Sequence, residues 1–370
     1  MDMTFYNPTS VVTGRGCVGK SAALLRELGG RCLIVTGKTA ARASGALADL
    51  TAALDGAGVA YTLFDGVEQN PSYATCLAAA ELAKREGAEF VIGVGGGSPL
   101  DAAKAIAALA ACRDTSPEAL FSSRFDAEPL PIVAIGTTAG TGSEVTPVAV
   151  ITTPEGQKKS FRAPSLYPRL ALGDATYTMS LSPAFTRSTA LDALAHCLES
   201  YFNRTANDLS RTFAARGVSL LSSLLGRCAV CDTEPLSYEE REALYAASLY
   251  GGYAISVTGT AFPHALGYFL SETRGIPHGN ACALYLSDFI RHNAAVAPEE
   301  SARLFAEAGT ELDALLTLVR RNLPPIEVTL TEEELASLLP RYKKNKSLEK
   351  CLGEVDCSFA SALLRKMFVK

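Results

Sequence analysis

The chain has 370 residues, enough for two domains with full hydrophobic cores. Hydrophobic residues make up 48% and charged residues 20%, a composition typical of an ordered globular protein and not of a disordered one. The net charge of -5, without a long basic run, argues against nucleic acid or a membrane surface as a partner.

The N-terminal segment and the cysteines indicate a compartment. MDMTFYNPTS lacks the apolar core of a signal peptide, and no apolar run reaches the roughly 18 residues needed to span a bilayer. The ten cysteines are dispersed, and the C-x-x-C of Cys228 and Cys231 has no second pair to complete a zinc site. We therefore expect reduced thiols and a cytoplasmic protein.

The first half of the chain alternates apolar strands with helical stretches, which predicts a parallel sheet covered on both faces. The predicted strands are Arg31–Gly37, Tyr61–Phe64, Phe90–Gly95 and Pro131–Gly136, and helices between them include Ala40–Ala57 and Tyr73–Glu86. The PEGQ segment between Val148–Thr153 and Lys158–Arg162 indicates a hairpin.

The second half reads as successive helices from about Pro183 onward. One of these helices is predicted to open at Thr331 with a capping box completed by Glu334. We predict an α/β Rossmann-like dinucleotide-binding domain in residues 1–180 and an all-α metal-binding domain in residues 181–370. A cleft between them is the expected ligand site.

A glycine-rich segment follows the Phe90–Gly95 strand and opens the helix PLDAAKAIAAL. Glycines let a backbone approach its ligand, and free N–H groups at a helix start attract an anion such as a pyrophosphate. Asp101 and Lys104 are placed either to order this loop or to reach the ligand. The candidate cofactor contacts are Gly95, Gly96, Gly97, Ser98 and Asp101.

A second loop, TTAGTGS, follows the next predicted strand. Hydroxyls and glycines at the carboxyl end of a parallel strand suit phosphate or ribose contacts. Two such loops on adjacent strands favour nucleotide binding over two structural turns. The candidate contacts are Thr137, Thr138, Thr141 and Ser143.

A third segment, GRGCVGKS from Gly14 to Ser21, satisfies the P-loop pattern GxxxxGK[ST]. The strand before it, Ser10–Thr13, is short, and no later segment resembles a strand ending in a magnesium-binding aspartate. A P-loop-like nucleotide-binding protein is therefore one alternative, and a coincidental glycine-rich turn is the other.

Four residues near the middle of the chain have the composition of a catalytic metal site. Asp192 and His196 lie four apart in LDALAHCLESY, which places both on one helix face about 6 Å apart along its axis. His264 and His278 follow in PHALGYFLSETRGIPHG, so three of the chain's four histidines belong to this set. Three imidazoles and a carboxylate suit Zn(II) or Fe(II), and an open position admits a substrate oxygen.

Five segments, in order, resemble the iron-containing (group III) alcohol dehydrogenase family: FYNPTSVVTG, GGGSPLDAAKA, PIVAIGTTAGTGSEVT, LDALAHCLESY and PHALGYFLSETRGIPHG. The resemblance implies reversible hydride transfer between a small, short-chain primary alcohol or aldehyde and a nicotinamide cofactor. The resemblance further implies that a metal held by Asp192, His196, His264 and His278 polarises the substrate oxygen. It also implies a homodimer or larger homo-oligomer, and positions near the nicotinamide and its ribose for Thr141, Val150 and Lys159.

Three positions depart from the family pattern. Many members carry a second histidine four residues after the third ligand, where this chain has Tyr268. Proton transfer could therefore use the phenol, a water or the ribose hydroxyl, and the catalytic candidates are His264, His278 and Tyr268. Ala190 replaces a common glycine, and Leu172-Gly-Asp-Ala departs from the usual Asp-Pro. None of these changes removes a metal ligand.

The end of the second predicted strand bears on cofactor choice. NAD-selective members of the resembled family tend to carry an aspartate there, which binds the ribose 2′-hydroxyl and repels a 2′-phosphate. This chain has Gly37, Lys38 and Thr39, a compact group suited to a phosphate. We therefore predict NADP(H) in preference to NAD(H).

A lyase similar to dehydroquinate synthase is the nearest alternative, since it resembles this architecture and uses NAD transiently. That chemistry needs many Lys and Arg around a phosphorylated, carboxylated substrate. The predicted lining here is mainly apolar or uncharged, which favours a small neutral substrate; it consists of Tyr268, Phe262, Ala261 and Leu266.

Overall fold

The computed structural model describes residues 3–369, which form two compact units. The α/β unit consists of Tyr6–Ser182 and Leu236–Gly252, and the helical unit consists, among the described residues, of 3–5, 183–235 and 253–369. Leu236–Gly252 thus groups with the α/β unit although it lies within residues 181–370.

All strands found in residues 3–369 belong to the α/β unit. They are β1 (Ser10–Thr13), β2 (Arg31–Thr36), β3 (Ala60–Phe64), β4 (Phe90–Gly95), β5 (Ile132–Gly136), β6 (Val148–Thr152), β7 (Lys158–Arg162) and β8 (Leu170–Gly173). The α-helices are α1 (Cys17–Lys20), α2 (Ala22–Glu27), α3 (Ala40–Ala43), α4 (Ala46–Ala57), α5 (Tyr73–Glu86), α6 (Gly97–Ala111), α7 (Pro117–Phe121), α8 (Pro183–Tyr201), α9 (Asp208–Cys228), α10 (Tyr238–Thr258), α11 (Phe262–Thr273), α12 (His278–Ala283), α13 (Leu286–Val296), α14 (Pro298–Ala308), α15 (Leu312–Asn322), α16 (Glu332–Leu338), α17 (Lys346–Glu349) and α18 (Cys357–Phe368).

Six strands form a parallel sheet in the order β1-β8-β5-β4-β2-β3, which confirms the predicted fold class. The order reverses at β2, because β3 lies on one side of it and β4 on the other. Thr36 pairs with Val94, and Gly95 pairs with Gly136, so the carboxyl ends of β2, β4 and β5 lie side by side. In open parallel sheets, ligands bind outside the carboxyl edge at such a reversal.

Two hydrophobic cores cover the two faces of this sheet. Leu33 and Val35 of β2 contribute to one core, with small side chains of α5 and α6. Ile34 contributes to the other, with Leu50 and Leu54 of α4. Because successive side chains of a strand point to opposite faces, burial on both sides explains the continuous apolar runs in the sequence.

Most predicted elements of the α/β unit are confirmed within a residue or two. Strand β4 has the predicted bounds, and β6 and β7 form the predicted antiparallel hairpin. The helix predicted over Ala40–Ala57 is instead divided into α3 and α4, because Gly45 adopts a left-handed conformation with φ 85°. Strand β8 was not predicted.

The helical unit is arranged around α8, whose side chains from Ala190 to Tyr201 are buried. Helices α9 and α12 pack against α8, and α11 packs against α12. The predicted capping box at Thr331 and Glu334 is present at the start of α16. No helix within residues 3–369 is long and apolar enough to cross a membrane.

Candidate active site

Three elements of the helical unit supply the predicted metal ligands. Asp192 and His196 lie one turn apart on α8, with 3% and 5% of their surfaces exposed. His264 lies in the first turn of α11, and His278 is the first residue of α12. The structure therefore brings together residues from α8, α11 and α12 that are separated by up to 86 positions.

The three imidazoles converge on one carboxylate oxygen. Asp192 Oδ1 lies 3.5 Å from His264 Nε2, 3.8 Å from His278 Nε2 and 4.0 Å from His196 Nε2. Asp192 Oδ1 and His264 Nε2 are both buried and have no hydrogen-bond partner. Leaving a buried polar atom unsatisfied costs about 1–3 kcal/mol, and a divalent cation would satisfy both atoms. The residues fit a bound metal ion.

Glu199 fixes the orientation of His264. The Nδ1–H of His264 donates to Glu199 Oε1 at 2.5 Å, and the backbone N–H of Ala261 donates to Glu199 Oε2. With its proton on Nδ1, the ring presents the Nε2 lone pair toward Asp192, as in carboxylate–histidine–metal arrangements. Glu199 was not predicted as a site residue from the sequence, although its position seven residues after Asp192 on one helix face was an available signal.

Charges within the cluster shift its pKa values. Burial disfavours ionisation of Asp192, but His196, His278 and His264 together hold the pKa of its carboxyl well below the usual range. Burial alone would lower the pKa of His264, whereas Cys282, Glu199 and Asp192 raise it well above its usual value. A proton therefore competes with a metal ion for the imidazole nitrogen, so metal affinity should fall as the pH is lowered.

A cysteine lies among these ligands. The ligand atoms of Asp192, His264, His278 and Cys282 all lie within 4.8 Å of one another. His196 contacts this set through Asp192 and through its ring, which stacks on His264 with ring centroids 4.7 Å apart. Cys282, which lies one helical turn after His278, was not predicted as a site residue from the sequence.

Gly279 permits the close approach of α12 to α8. A Cβ atom at this position would lie 1.9 Å from the carbonyl oxygen of Ser188, which no side chain tolerates. The contact between the two backbones carries His278, the preceding residue, toward Asp192. A residue with no metal-binding chemistry is thus required by the geometry of the site.

Tyr268 lies beside the cluster. Its ring stacks on His278, with centroids 5.7 Å apart and planes 17° apart, and meets His264 edge-on. Burial raises the pKa of Tyr268 to about 12, so the phenol stays protonated at neutral pH and is suited to donate a hydrogen bond. The His278 side chain is 34% exposed, so the cluster is open to solvent there.

The predicted substrate lining is wrong at three of its four positions. Phe262, Ala261 and Leu266 are fully buried, and Phe262 packs against Phe289 with ring centroids 5.1 Å apart. These side chains belong to the hydrophobic core of the helical unit, because they lie on the inward face of α11 and its N-cap. Tyr268 alone among the four is partly exposed.

In the α/β unit, the two predicted cofactor loops lie against each other. The N–H of Thr137 donates to the carbonyl of Gly95 at 2.9 Å. A Cβ on Gly96 would lie 3.2 Å from Thr138 Cγ2, and a Cβ on Gly97 would lie 3.0 Å from Thr141 Cγ2. Helix α6 begins here without a side-chain cap, which leaves its first N–H groups for an anion.

Asp101 and Lys104 of α6 hold the second loop and the hairpin in place. Asp101 accepts hydrogen bonds from Ser143 Oγ at 2.7 Å and from the N–H of Val150 at 2.9 Å. The fully buried Lys104 Nζ donates to Ser143 Oγ at 2.7 Å and to the Val148 carbonyl at 2.8 Å. Of the two roles open from the sequence, these contacts favour ordering the loop over reaching the ligand.

The other predicted cofactor residues are dispersed over the unit. Gly37 follows β2 at the reversal of strand order, and Lys38 and Thr39 are exposed. Val150 is half-buried on β6, and Ser98 Oγ accepts a hydrogen bond from the N–H of Asn70 at 3.2 Å. Lys159 is exposed on β7, with Nζ 5.3 Å from the centroid of the Phe121 ring.

The polar groups of the P-loop-like segment, Gly14 to Ser21, form hydrogen bonds within the protein. The N–H of Gly16 donates to Asp174 Oδ2 at 2.5 Å, and Lys20 Nζ donates to the Arg15 carbonyl at 2.9 Å. Helix α1 spans only Cys17–Lys20. Because the Gly16 amide and the Lys20 ammonium already have internal partners, these contacts favour a structural turn over a phosphate-binding loop.

Comparisons with known proteins agree with the sequence resemblance. Residues 8–175 match the family "Iron-containing alcohol dehydrogenase", and residues 186–315 match "Fe-containing alcohol dehydrogenase family, C-terminal". The 1,3-propanediol dehydrogenase of Klebsiella pneumoniae is 31% identical over 86% of this chain and 80% of its own.

Two solved structures extend the likeness to the fold. An iron-containing alcohol dehydrogenase from Thermotoga maritima is 34% identical, with a TM-score of 0.90 over 98% of both chains. A sulfoacetaldehyde reductase from Bifidobacterium kashiwanohense, solved in complex with NAD+, is 28% identical, with a TM-score of 0.88 over 99% of both chains.

Proposed function

This chain belongs to the iron-containing alcohol dehydrogenase family, and from that membership we propose that it interconverts a short-chain aldehyde and its primary alcohol with NADP(H) and a bound divalent metal. Membership makes it an oxidoreductase of the alcohol dehydrogenase and aldehyde reductase class. The observation that carries the proposal is the pair of buried, unpartnered atoms, Asp192 Oδ1 and His264 Nε2.

Asp192, His196, His264 and His278 would hold the metal, either Fe(II) or Zn(II). When bound, it supplies Lewis acidity that polarises a carbonyl or lowers the pKa of an alcohol. Glu199 keeps the His264 lone pair directed at the site through its 2.5 Å hydrogen bond. The carboxylates of Asp192 and Glu199 lie close to the imidazoles of the site. Because the site is buried, solvent screens the negative charge of these carboxylates little.

Tyr268 is the proposed polar contact for the substrate. Tyr268 is partly exposed, and its ring stacks on His278, the most exposed of the four candidate metal ligands. It keeps its phenolic proton at neutral pH. We expect Tyr268→Phe to raise KM more than it lowers kcat, because it removes a hydrogen bond and preserves the ring that packs on His278. A large loss of kcat with a changed pH profile would instead identify the phenol as the proton donor.

NADP(H) is the proposed cofactor form because of the residues after β2. Gly37 supplies no carboxylate to repel a 2′-phosphate, and the exposed Lys38 supplies a cation at the carboxyl edge where the strand order reverses. We expect Lys38→Ala to weaken the binding of NADPH and to leave the affinity for NADH unchanged. Equal kcat/KM for the two cofactors in the unaltered protein, or a preference for NADH, would overturn this part of the proposal.

The small size of the substrate is proposed from the relatives, one named for 1,3-propanediol and one for sulfoacetaldehyde. The test is the initial rate of NADPH oxidation with aldehydes of two to eight carbons, neutral and charged. We expect turnover that is highest for the shorter aldehydes, and the comparison of neutral with charged aldehydes of equal length defines the charge that the site accepts. Tight NADPH binding without turnover of any aldehyde would favour the lyase alternative, whose nicotinamide is used only transiently.

A further inference from the structure

The TTAGTGS loop, Thr137 to Ser143, is attached to α10 as well as to α6. The residue after the loop, Glu144, is 2% exposed and lies in the short 3₁₀ turn Ser143–Val145. The hydroxyl of Tyr245 on α10 donates a hydrogen bond of 2.9 Å to Glu144 Oε1. Both side chains are buried, so water does not replace this bond when it is lost.

Two glycines at the ends of neighbouring strands make room for this pair. A Cβ atom on Gly136, the last residue of β5, would lie 1.9 Å from Glu144 Oε1. A Cβ atom on Gly173, the last residue of β8, would lie 2.5 Å from Tyr245 Cε1. Neither strand end could carry a side chain without displacing the pair. Gly173 belongs to the Leu172-Gly-Asp-Ala segment that departs from the family pattern, and this departure provides the space that Tyr245 occupies.

A backbone contact joins the same loop to the same helix. Gly142 adopts a left-handed conformation with φ 60°, and a Cβ atom on it would lie 2.5 Å from the Cα atom of Gly252 on α10. Tyr245 and Gly252 are seven residues apart, which is about two helical turns, so they lie on one face of α10. That face therefore contacts the loop at two points, one through a side chain and one through the backbone.

These contacts fix both ends of the loop and leave the predicted cofactor contacts Thr138 and Thr141 between them. At one end the N–H of Thr137 donates to the Gly95 carbonyl, and at the other end Ser143 bonds to Asp101 and Lys104 of α6. A loop that is ordered before its ligand arrives binds that ligand more tightly, because binding does not have to supply the free energy of ordering.

We propose that Glu144 and Tyr245 are positioning residues for the nicotinamide cofactor, which hold the TTAGTGS loop in the conformation that binds it. This proposal rests on the proposed function, in which the loop contacts NADP(H), and adds α10 to the elements that shape the cofactor site. Both side chains are buried, so they act through the loop and do not touch the cofactor. Their loss therefore weakens cofactor binding and leaves the chemical step and the metal affinity unchanged.

The test compares Tyr245→Phe with Tyr177→Phe. Tyr177 is the matched control, because its buried hydroxyl donates to Asp49 Oδ2 over the same 2.9 Å, within the same unit and outside the TTAGTGS loop. NADPH dissociation constants are measured by fluorescence, and kcat is measured at saturating NADPH. We expect NADPH binding to weaken roughly tenfold in Tyr245→Phe, the upper end of what one hydrogen bond contributes, with kcat unchanged. Tyr177→Phe should bind NADPH as wild type does.

Variants of Glu144 separate the hydrogen bond from the bulk of the side chain. The amide oxygen of Glu144→Gln still accepts from the Tyr245 hydroxyl, so this variant should bind NADPH nearly as well as wild type. Glu144→Ala should weaken binding at least as much as Tyr245→Phe does. Because the two residues act as a pair, the double variant Glu144→Ala with Tyr245→Phe should bind no more weakly than Glu144→Ala alone. An equal loss in the glutamine and alanine variants overturns the hydrogen bond as the cause.

The outcomes separate this proposal from the function beneath it. Equal NADPH affinity in Tyr245→Phe and Tyr177→Phe overturns the positioning role and leaves the proposed reaction intact. Failure of wild type to bind NADPH or NADH overturns the proposed function and this proposal together. If Tyr245→Phe does not fold, amide hydrogen exchange of wild type decides. Protection of residues 137–145 before NADPH is added supports the proposal, and protection that appears only with NADPH overturns it.

Discussion

Two clusters of charged and polar side chains, one in each unit, differ in whether their hydrogen-bonding atoms are satisfied. In the helical unit, Asp192 Oδ1 and His264 Nε2 have no hydrogen-bond partner. In the α/β unit, Asp101 and Lys104 bond to Ser143 and to the hairpin backbone. The two clusters therefore differ in role. The first has unsatisfied atoms suited to bind a metal ion, and the second holds backbone segments in place. Substitutions in the two groups should have distinguishable effects.

The largest effect is expected at His264. Replacing it with alanine removes a metal ligand, and we expect kcat/KM to fall at least 1000-fold, or about 4 kcal/mol in the activation free energy. NADPH affinity, followed by fluorescence, should be unchanged. The control is His292→Ala, since the His292 Nε2 lies in a hydrogen bond with the Leu352 carbonyl. Substantial turnover by metal-free His264→Ala would contradict the site assignment.

Lys104→Met tests the second group. The change leaves Asp101 without its 3.7 Å ion pair, and we expect the free energy of unfolding at pH 7 to fall by roughly 3 kcal/mol. Cofactor affinity should weaken while metal content stays the same. Lys84→Met, on the surface of α5, is the matched control and should change little. Loss of metal with intact stability would break the comparison between the units.

The same variant has a pH signature. Burial lowers the pKa of Lys104 to about 8 from an ordinary value of 10.5. Between these values the unfolded chain binds the proton more tightly than the folded one, so this residue makes stability rise with pH. Urea unfolding from pH 8 to 10 should show the wild type gaining stability relative to Lys104→Met. A difference that stays flat or shrinks would contradict a buried ammonium at this position.

Gly279→Ala tests whether close packing positions His278. The added methyl overlaps the Ser188 carbonyl, so we expect a loss of about 1–3 kcal/mol in unfolding free energy and a weaker metal affinity. Gly226→Ala on α9 meets nothing within 4 Å and should leave stability unchanged or raise it by up to about 1 kcal/mol. If both variants behave alike in urea unfolding, the backbone contact does not position the ligand.

The smallest effect is expected from Glu199→Gln. The amide keeps the shape of the side chain but removes the charge that holds the His264 tautomer, so metal affinity should fall about 10- to 100-fold. Chelator competition measures this, and Glu299→Gln, on the exposed start of α14, serves as the control. Unchanged metal affinity in Glu199→Gln would remove Glu199 from the site.

The features predicted from the sequence are those encoded locally. The apolar run of β4, the hairpin and the capping box at Thr331 depend on neighbouring residues, and the structure has them. The four-residue strand β8 carried too short a pattern to be recognised. The spacing of Asp192 and His196 indicated one helix face, but periodicity does not say which buried groups face that helix from other elements. Glu199, Cys282 and Gly279 became visible only through contacts between α8, α11 and α12.

The most direct test of the central claim is reconstitution. Metal-free protein is loaded separately with Fe(II) and with Zn(II), and NADPH oxidation is followed with a short aldehyde. We expect no turnover without metal, recovery with at least one of the two ions, and NADPH binding under all conditions. Equal turnover in the metal-free protein, or NADPH binding without turnover under either metal, would contradict it.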